Sequence, residues 1–359
     1  MQKEKIKISI IGSHGIYANY GGFDFLVNKL CELKSNRIEY LVFNSRETPL
    51  RHKYPDGVEV RRIPLPASGI LGVIYDFISI LIGSFRSNVL LLLGAQGMPL
   101  AIVAKLLFRK RIVVNVDGIE WERPKFGKFA KFYLRFCYDL ACNHADKIIL
   151  DNAYFKENLP TKVIESNRYC ISTYGAEIDK SLEINDEIRE KFSFIEEKYF
   201  LSLGRPIADN NLYELCEIFS KLDLTLVLVS VLTRNSYGRK IIKDFSDKKN
   251  IHLINGLFIK NEMDLLRRSC FAYIHTHSLC GTAPSLVEAI HCDVPILSID
   301  VPQNRHTLEN MGHYFSNFDV LLNELQEKKI NFSNSIPDNK LKQKYTWKNI
   351  VSEYEDLYF

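Results

Sequence analysis

Arg205 is placed where a guanidinium could bind a diphosphate. It follows the apolar run Tyr199 to Leu203, so it should emerge at the C-terminal end of a strand, just after Gly204. A guanidinium there can form two parallel hydrogen bonds to phosphate oxygens. The alternative for Arg205 alone is a surface arginine at a domain junction.

The segment from His275 to Ala289 could supply the other half of a nucleotide site. A predicted strand ends near His275, a glycine-containing loop follows, and a helix begins near Pro284. Proline suits the first turn of a helix, and the amides of residues 281–286 would form an anion site for phosphates. Glu288, about one turn into the helix, is placed to bind ribose hydroxyls.

Neither the histidines nor the cysteines predict a metal. His275 and His277 are spaced i, i+2, but no third ligand is expected nearby, and such pairs usually serve as polar loop residues. The eight cysteines are scattered, without Cys-x-x-Cys spacing. They are interpreted as reduced, buried thiols of a cytosolic protein.

A second glycine-rich loop, from Gly12 to Gly22, follows the first predicted strand and opens a helix. Its glycines would let backbone amides approach a ligand. Because Gly-x-Gly-x-x-Gly is absent and no acidic residue ends the second strand, an NAD site is disfavoured. Gly21 and Gly22, with His14 and Tyr20, favour a substrate-binding loop over a simple tight turn.

Alternating elements predict how these loops are positioned. Short β-rich runs alternate with amphipathic helical windows, and the pattern restarts after the charged stretch 180–198, which predicts two α/β domains with parallel sheets. The predicted strands are 7–12, 40–43, 58–62, 89–93, 112–116, 147–150, 199–203, 224–229, 251–253, 272–275 and 295–298. Predicted helices of the first half are 22–33, 70–85, 99–108, 126–143 and 152–158.

We place the first domain at 1–178 and the second at 179–340, with a helix at 341–359 that packs back on the first. Ligands of such sheets bind at the carboxyl ends of the strands, so the active site is expected in the cleft between the domains.

Composition excludes several classes of protein. The 359 residues, 46% hydrophobic and 25% charged, suit two folded domains with sizeable cores. The 47 basic and 43 acidic residues are too balanced for general nucleic-acid binding. The N-terminus has no signal-peptide pattern, which predicts a cytoplasmic protein. A transmembrane span is disfavoured, because Asp76 and the Gly94 to Pro99 turn interrupt the two apolar stretches.

Taken together, these residues resemble family four of the retaining glycosyltransferases, which have the GT-B fold: two Rossmann-like domains with a deep interdomain cleft. More narrowly, they resemble the bacterial rhamnosyltransferase-type subfamily that builds capsule, O-antigen and rhamnan polysaccharides. The motifs that carry the resemblance are Gly15-Ile-Tyr-Ala-Asn-Tyr-Gly-Gly-Phe23, Asn115-Val-Asp-Gly-Ile-Glu-Trp121, Tyr174-Gly-Ala176, Gly204-Arg205 with Asp209-Asn-Asn211, Ala272-Tyr-Ile-His-Thr-His-Ser278, and Pro284-Ser-Leu-Val-Glu-Ala289.

The resemblance implies transfer of a sugar, with L-rhamnose from dTDP-rhamnose as the best match, onto a polyprenyl-diphosphate-linked saccharide with retention. Arg205 and the amides near Gly281 and Thr282 would stabilise the leaving diphosphate, and Asp117 would orient or activate the acceptor. The remaining residues assigned to the donor are Gly21, Gly22, Gly204, His277, Pro284, Ser285 and Glu288. The remaining residues assigned to catalysis or to the acceptor are Glu120, Trp121, Arg123, His14 and Tyr20. No cofactor beyond the donor, and no metal, is implied.

The sequence departs from the family pattern at three places. The broad family has a glutamate where this chain has Cys280, although the narrower subfamily often has glycine there. A lysine often follows Gly204-Arg205, where this chain has Asn210-Asn211, and Glu122 precedes Arg123 where the subfamily usually has a basic residue. These differences bear on the donor sugar and the acceptor.

The window from Lys125 to Phe136, taken as a helix, places a basic arc beside an aromatic arc. Such a helix suits the inner face of the cytoplasmic membrane, where a lipid-linked acceptor is found. The alternative is an aromatic face buried in the protein's own core. The residues assigned to the membrane are Lys125, Lys128, Phe129, Lys131 and Arg135.

Three other functions stay open. One is a glycosyltransferase that uses a UDP- or GDP-sugar. Another is a GT-B-fold sugar-nucleotide 2-epimerase, which needs acidic and histidine groups placed for proton transfer. The third is an inactive nucleotide-sugar-binding subunit, which Cys280 and Glu122 suggest.

Overall fold

A computed structural model describes residues 5–18, 21–49, 51, 53–122 and 126–359. The chain forms two compact units: unit 1 is Met1–Tyr174 with Trp347–Phe359, and unit 2 is Gly175–Thr346. Three residues assigned to sites from the sequence, Tyr20, Arg123 and Lys125, lie outside the described residues.

Unit 1 is built on a seven-stranded parallel sheet with strand order β3-β2-β1-β4-β5-β6-β7. The strands are β1 Ile6–Ile11, β2 Ile38–Asn44, β3 Val58–Arg62, β4 Val89–Leu93, β5 Arg111–Asn115, β6 Lys147–Leu150 and β7 Tyr169–Ile171. The α-helices before unit 2 are α1 Gly22–Leu33, α2 Gly69–Arg86, α3 Met98–Phe108, α4 Lys128–His144 and α5 Thr161–Glu165, with 3-10 helices at Glu120–Glu122 and Ala153–Asn158.

Helices cover both faces of this sheet. The connections through α2, α3 and α4 all step in one direction across the sheet, and right-handed crossovers therefore place these three helices on the same face. The connection through α1 steps the other way. Two separate apolar cores result: one beneath α2, α3 and α4, and one beneath α1. Burial on both faces explains the almost continuous apolar runs of strands such as β4.

Unit 2 repeats this plan with a six-stranded parallel sheet of order β10-β9-β8-β11-β12-β13. The strands are β8 Tyr199–Leu203, β9 Thr225–Ser230, β10 Ile251–Asn255, β11 Ala272–His275, β12 Ile296–Ile299 and β13 His313–Phe315. The α-helices are α6 Asp186–Lys191, α7 Leu212–Phe219, α8 Ser236–Phe245, α9 Lys260–Ser269, α10 Pro284–Ile290, α11 Pro302–Thr307, α12 Phe318–Gln326 and α13 Asn339–Lys344. The 3-10 helices are Ala208–Asn210, Leu232–Arg234 and Phe332–Ser335.

The last helix, α14 (Trp347–Asp356), belongs to unit 1, where it packs beside α1. Ile350, Val351 and Tyr354 are buried in the same core as α1. The Asn115 side-chain amide donates a hydrogen bond to the Tyr354 hydroxyl at 2.8 Å. This returning segment was predicted to begin at residue 341, whereas residues 341–346, including most of α13, belong to unit 2.

Helix α2 is long and apolar enough to cross a membrane, judged by length and composition. Its inner side is nevertheless part of unit 1, since Tyr75, Ser79, Ile80 and Gly83 are buried. The Tyr75 hydroxyl donates a 2.6 Å hydrogen bond to the carbonyl of Phe43 in β2. Helix α2 is therefore attached to the sheet along one side.

Asp76, also on the inner side of α2, should make stability depend on pH. Burial raises the pKa of this carboxyl to about 8, whereas an aspartate in an unfolded chain has a pKa of about 3.9. Between these values the folded state holds a proton that the unfolded state releases, so stability falls as pH rises through this window. We expect urea unfolding of the wild type to lose roughly 3 kcal/mol between pH 5 and pH 8 from this group.

The variant Asp76→Asn should remove that decline, because an amide does not ionise in this range. The free energy of unfolding, measured by urea titration at both pH values, gives the comparison. A parallel decline in wild type and variant would show that another group is responsible.

Candidate functional site

Unit 2 offers a binding position where its strand order reverses, between β8 and β11. The chain leaves β8 toward β9 on one side, and leaves β11 toward β12 on the other. In open parallel sheets, ligands bind outside the carboxyl ends of the two strands at this switch point. The loop after β8 contains Gly204 and Arg205, and the loop after β11 contains His277, so the structure brings together these residues assigned to the donor.

Hydrogen bonds hold the two loops against each other. The Thr276 hydroxyl donates to the Asn210 carbonyl at 2.5 Å, and the Asn211 side-chain amide donates to the Thr276 carbonyl at 2.8 Å. The Ser278 amide donates to the Asp209 carbonyl at 2.9 Å. The Asp209-Asn-Asn211 segment therefore has a structural role: it fixes the position of the loop after β11.

Gly204 allows a close approach of His277. A Cβ atom at residue 204 would lie 2.7 Å from Nε2 of His277, which also lies 3.2 Å from the carbonyl oxygen of Leu203. Burial lowers the pKa of His277 to about 4, an effect to which the nearby Arg205 charge adds. His277 is consequently a neutral imidazole that packs the loop after β11 against the strand end at Gly204.

Arg205 itself is exposed at this edge. Its carbonyl oxygen is held by the Asn210 side-chain amide at 2.9 Å. Within the part of the chain that the structure describes, no hydrogen bond or ion pair engages its guanidinium. The charge is therefore available to a ligand at the switch point.

His275, His277 and Cys280 form a possible metal-binding group. One ligand atom from each lies within 4.8 Å of the other two. His275 is fully buried, and neither of its ring nitrogens has a hydrogen-bond partner among the described residues. Burial holds the pKa of His275 well below its ordinary value, so this imidazole is neutral as well. Cys280 is thus a third potential ligand close in space, and the prediction that none lies nearby is wrong.

Glu288 lies on α10 and is oriented by a side chain that sequence analysis did not identify. The Arg267 guanidinium of α9 donates a hydrogen bond to the Glu288 carboxylate and a second one, of 2.7 Å, to the buried carboxylate of Asp264. Burial alone would lower the pKa of Arg267, but Glu288 and the other nearby anionic groups more than offset it and keep the pKa above its ordinary value. Lys260 contacts the other carboxylate oxygen of Asp264.

This buried charge pair holds the Glu288 carboxylate in place. Arg267 is charged and nearly inaccessible to solvent, so its two carboxylate partners compensate a charge that would otherwise be costly to bury. Glu288 keeps part of its surface exposed and thus remains able to accept hydrogen bonds from a ligand. Asp264 and Arg267 thus fix the position of the Glu288 carboxylate.

The start of α10 agrees with the sequence prediction in position. Pro284 is the first helical residue, preceded by Gly281, Thr282 and Ala283 in the loop after β11. The amide of Leu286 already donates to the Ala283 carbonyl at 3.0 Å. The predicted anion site is therefore narrower than amides 281–286: Pro284 has no N–H, and the amide of Leu286 is occupied within the helix.

In unit 1 the loop after β1 also lies at a switch point, between β1 and β4. Gly15 has a φ of 112°, and a Cβ there would overlap Asn44 at 2.2 Å, so the loop requires glycine at this position. Asp24, which is buried near the start of α1, accepts hydrogen bonds from the amides of His14 (3.0 Å) and Gly21 (3.2 Å). Asp24 thus determines the loop conformation and was not identified from the sequence.

Asp117 follows β5 at the same edge of this sheet. Its backbone lies in the left-handed region, with a φ of 60°, and its amide donates to the Asn115 side chain at 2.8 Å. A left-handed aspartate at a strand end is uncommon and marks a conformationally constrained position. Glu120 and Trp121 follow in a 3-10 helix, and the Trp121 ring packs 4.7 Å from that of Tyr138 on α4.

Helix α4 begins at Lys128, after Gly127, so the helix predicted from residue 126 starts two residues late. Phe129 is 90% exposed, and Phe136 is exposed as well. Tyr133 instead turns inward, and its hydroxyl donates to the Gln96 carbonyl at 2.8 Å. Arg135 stacks over Trp121 and pairs with Asp139 at 3.3 Å. The alternative of an aromatic face buried in the protein's own core is wrong for Phe129 and Phe136.

Known proteins share parts of this sequence and this architecture. Residues 5–177 match the family described as "Domain of unknown function (DUF1972)". No protein among curated sequences matches the chain. Sucrose-phosphate synthase from Thermosynechococcus elongatus has a similar structure, with a TM-score of 0.77 and 14% identity over 99% of this chain and 98% of the other.

Two further solved structures are similar along their whole length. Anabaena HepE in complex with UDP and glucose has a TM-score of 0.73 and 13% identity, with 98% of each chain covered. An α,α-trehalose-phosphate synthase (UDP-forming) from Burkholderia xenovorans, in complex with glucose-6-phosphate, has a TM-score of 0.72 and 10% identity, with coverages of 99% and 100%.

The chain has the GT-B fold. The fold class predicted from the sequence is therefore confirmed. At these low identities the likeness establishes the fold alone. The rhamnosyltransferase subfamily and the individual roles of the site residues stay predictions.

Proposed function

We propose that this protein is a glycosyltransferase that transfers a sugar from a nucleoside-diphosphate sugar to a saccharide acceptor. The supporting observation is the switch point of unit 2. There the Arg205 guanidinium, which pairs with none of the described residues, follows β8, and the Glu288 carboxylate, held by Arg267, lies on the helix after β11. An arginine suits the diphosphate of such a donor, and a fixed carboxylate suits the hydroxyls of its ribose. The GT-B fold agrees with this function.

In the proposed reaction, an acceptor hydroxyl oxygen forms a bond to the anomeric carbon while the bond from that carbon to the diphosphate oxygen breaks. Negative charge develops on the leaving diphosphate, and Arg205 stabilises it. The acceptor hydroxyl passes its proton to the departing diphosphate oxygen as the new bond forms. Asp117 and Glu120, on unit 1, are proposed to position the acceptor hydroxyl. Retention at the anomeric carbon is part of the proposal, as the resemblance implies.

The finer proposal names L-rhamnose from dTDP-rhamnose as donor and a lipid-diphosphate-linked saccharide as acceptor, at the inner face of the cytoplasmic membrane. The sequence motifs support it. A UDP-sugar is the alternative donor, since HepE was solved in complex with UDP and glucose and the trehalose-phosphate synthase is named as UDP-forming. We propose that no metal takes part, because Arg205 supplies the positive charge for the diphosphate.

Thermal unfolding with candidate donors tests the donor site. We expect dTDP or dTDP-rhamnose to raise the melting temperature, because a ligand at 100 times its Kd adds about 2.7 kcal/mol to stability. A chelator should leave this shift unchanged, whereas dependence on added metal would assign His275, His277 and Cys280 a role. The variant Arg205→Ala should lose the shift.

Other outcomes separate the rivals. Preference for UDP or GDP ligands would keep the glycosyltransferase and discard rhamnose. Formation of an epimeric sugar nucleotide without acceptor would favour the 2-epimerase. Donor binding without turnover in the presence of the lipid-linked acceptor would favour an inactive subunit, and no shift with any nucleotide would overturn the donor site.

A further inference from the structure

Helices α2, α3 and α4 form one continuous layer on unit 1. They share one face of the sheet, α3 contacts both of its neighbours, and the rings of Phe85 on α2 and Phe108 on α3 pack 4.7 Å apart. The outward side of this layer, made by the three helices, is called here the α2–α4 face. The inner side of the layer packs into the core of unit 1.

The α2–α4 face exposes an unusual amount of apolar surface. Of the 21 exposed large apolar side chains in the part of the chain that the structure describes, 13 lie on these three helices. Ile70 on α2 is 84% exposed, Leu106 on α3 is 76% exposed, and Phe129 on α4 is the most exposed of them. Single exposed apolar residues are ordinary, but a concentration of this size marks a binding surface.

The charge of the same helices is strongly positive. Helices α2 and α4, and α3 with the two residues that follow it, carry seven lysines and arginines and two aspartates, a formal charge of +5. The whole chain carries +4, so the rest of the protein is slightly acidic. Asp76 is buried, and three of the seven cations pair with carboxylates: Arg86 with Glu59, Lys105 with Asp146, and Arg135 with Asp139. Among the described residues, no ion pair engages the other four, Arg109, Lys110, Lys128 and Lys131. The exposed apolar residues and these four cations therefore lie on, or directly after, the same helices.

We propose that the α2–α4 face is a docking surface for an anionic lipid bilayer. The exposed aliphatic and aromatic side chains enter the boundary between head groups and acyl chains, while the lysines and arginines contact acidic head groups. This deepens the membrane location in the proposed function and extends it from α4, the one helix assigned from the sequence, to α2 and α3. It does not depend on the sugar-transfer chemistry.

The fold determines how the helices would meet the bilayer. The inner sides of α2, α3 and α4 are buried in the core of unit 1, so these helices lie along the membrane surface rather than across it. A second copy of the chain fits this face poorly, because symmetric pairing would bring the same basic helices of two subunits together. Charge thus favours an acidic lipid surface as the occupant.

Flotation with lipid vesicles tests this surface. The full-length protein should float with vesicles of phosphatidylcholine and phosphatidylglycerol, float weakly with phosphatidylcholine alone, and lose binding as salt is raised. The double variant Leu106→Gln/Leu107→Gln should lower the partition coefficient by at least about tenfold, because each loses a large apolar contact. The charge variant Lys128→Gln/Lys131→Gln should weaken binding to anionic vesicles alone.

The matched control is Phe258→Gln, which changes an 83% exposed phenylalanine of unit 2. It should float like the wild type. All variants should unfold at the wild-type temperature, because none of the altered side chains is buried. Equal loss of flotation in the control and the α3 variant would overturn the proposal. The proposal would also be overturned if the wild type did not float with anionic vesicles at low salt. A wild-type dimer that the Leu106→Gln/Leu107→Gln variant abolishes would overturn it as well.

The failure of this inference differs from a failure of the proposed function. Transfer to a water-soluble acceptor analogue is expected to proceed equally in the wild type and in the α3 variant. Flotation without any sugar transfer would keep the membrane surface and discard the activity. Sugar transfer without flotation would keep the activity and discard the membrane surface.

Discussion

Replacing Arg205 by alanine should lower kcat/KM for sugar transfer by about 100- to 1,000-fold, the usual cost of removing one preorganised group that stabilises transition-state charge. The side chain is exposed and engages no described residue, so the melting temperature should not change. Arg205→Lys should recover part of the rate, since a lysine keeps the charge but not the two parallel hydrogen bonds of a guanidinium.

Two further variants test the position of the donor site. Glu288→Ala should reduce donor binding or turnover by a comparable factor, because its carboxylate is held for a ligand by Arg267. Arg239→Ala, an exposed arginine on α8 whose guanidinium donates to the Thr233 carbonyl, is the matched control and should retain the wild-type rate. Steady-state kinetics with the donor identified by thermal unfolding gives the values. Near-normal activity in both Arg205→Ala and Glu288→Ala would move the donor site elsewhere.

Replacing Arg267 by alanine should be the most destabilising change in the site. Asp264 is almost fully buried, and loss of its guanidinium partner leaves its charge compensated by Lys260 alone. Removal of one member of a buried ion pair costs about 3–5 kcal/mol. We expect a loss of this size in the free energy of unfolding measured with urea.

Glu288→Ala provides the comparison, because Glu288 is partly exposed and its loss leaves Arg267 paired with Asp264. It should change the free energy of unfolding far less than Arg267→Ala does. Should Arg267→Ala fail to fold, Arg267→Lys, which keeps the charge, offers a milder test: it should fold, yet bind donor more weakly because Glu288 loses its fixed partner. Surface substitutions usually change the free energy of unfolding by less than about 0.5 kcal/mol. A change that small for Arg267→Ala would show that the ion pair between Arg267 and Asp264 does not stabilise the fold.

The sequence was sufficient for the elements with strong local signals. The predicted helix at 22–33 coincides with α1 (Gly22–Leu33), because a glycine loop marks its start and apolar residues follow helical spacing. Strands β7 and β13 were missed: each has three residues and lies at a sheet edge, too short to show any periodicity. The window at 152–158 forms a 3-10 helix rather than an α-helix.

The site residues that were predicted are those with a fixed place relative to a strand. Those that were missed come together only through tertiary packing. Arg205 and Glu288 could be found because each stands at a fixed place after a strand or in a helix. Arg267 lies beside Arg268 on a helix with many charged residues, so nothing local distinguishes the buried arginine from its neighbour. The one available signal was its i, i+3 spacing from Asp264 within the apolar stretch Met263–Leu266. Cys280 as a third ligand likewise depends on how the loop after β11 turns back.

The return of α14 to unit 1 affects the order in which the protein can fold. A ribosome releases residues 1–174 and then all of unit 2 before it reaches Trp347, yet Tyr354 belongs to the core of unit 1 and binds Asn115, two residues before Asp117. Unit 2 can fold as soon as it emerges, whereas unit 1 must wait with the core beneath α1 incomplete. The N-terminal half of this chain therefore reaches its final structure last, after synthesis of the polypeptide has passed residue 354.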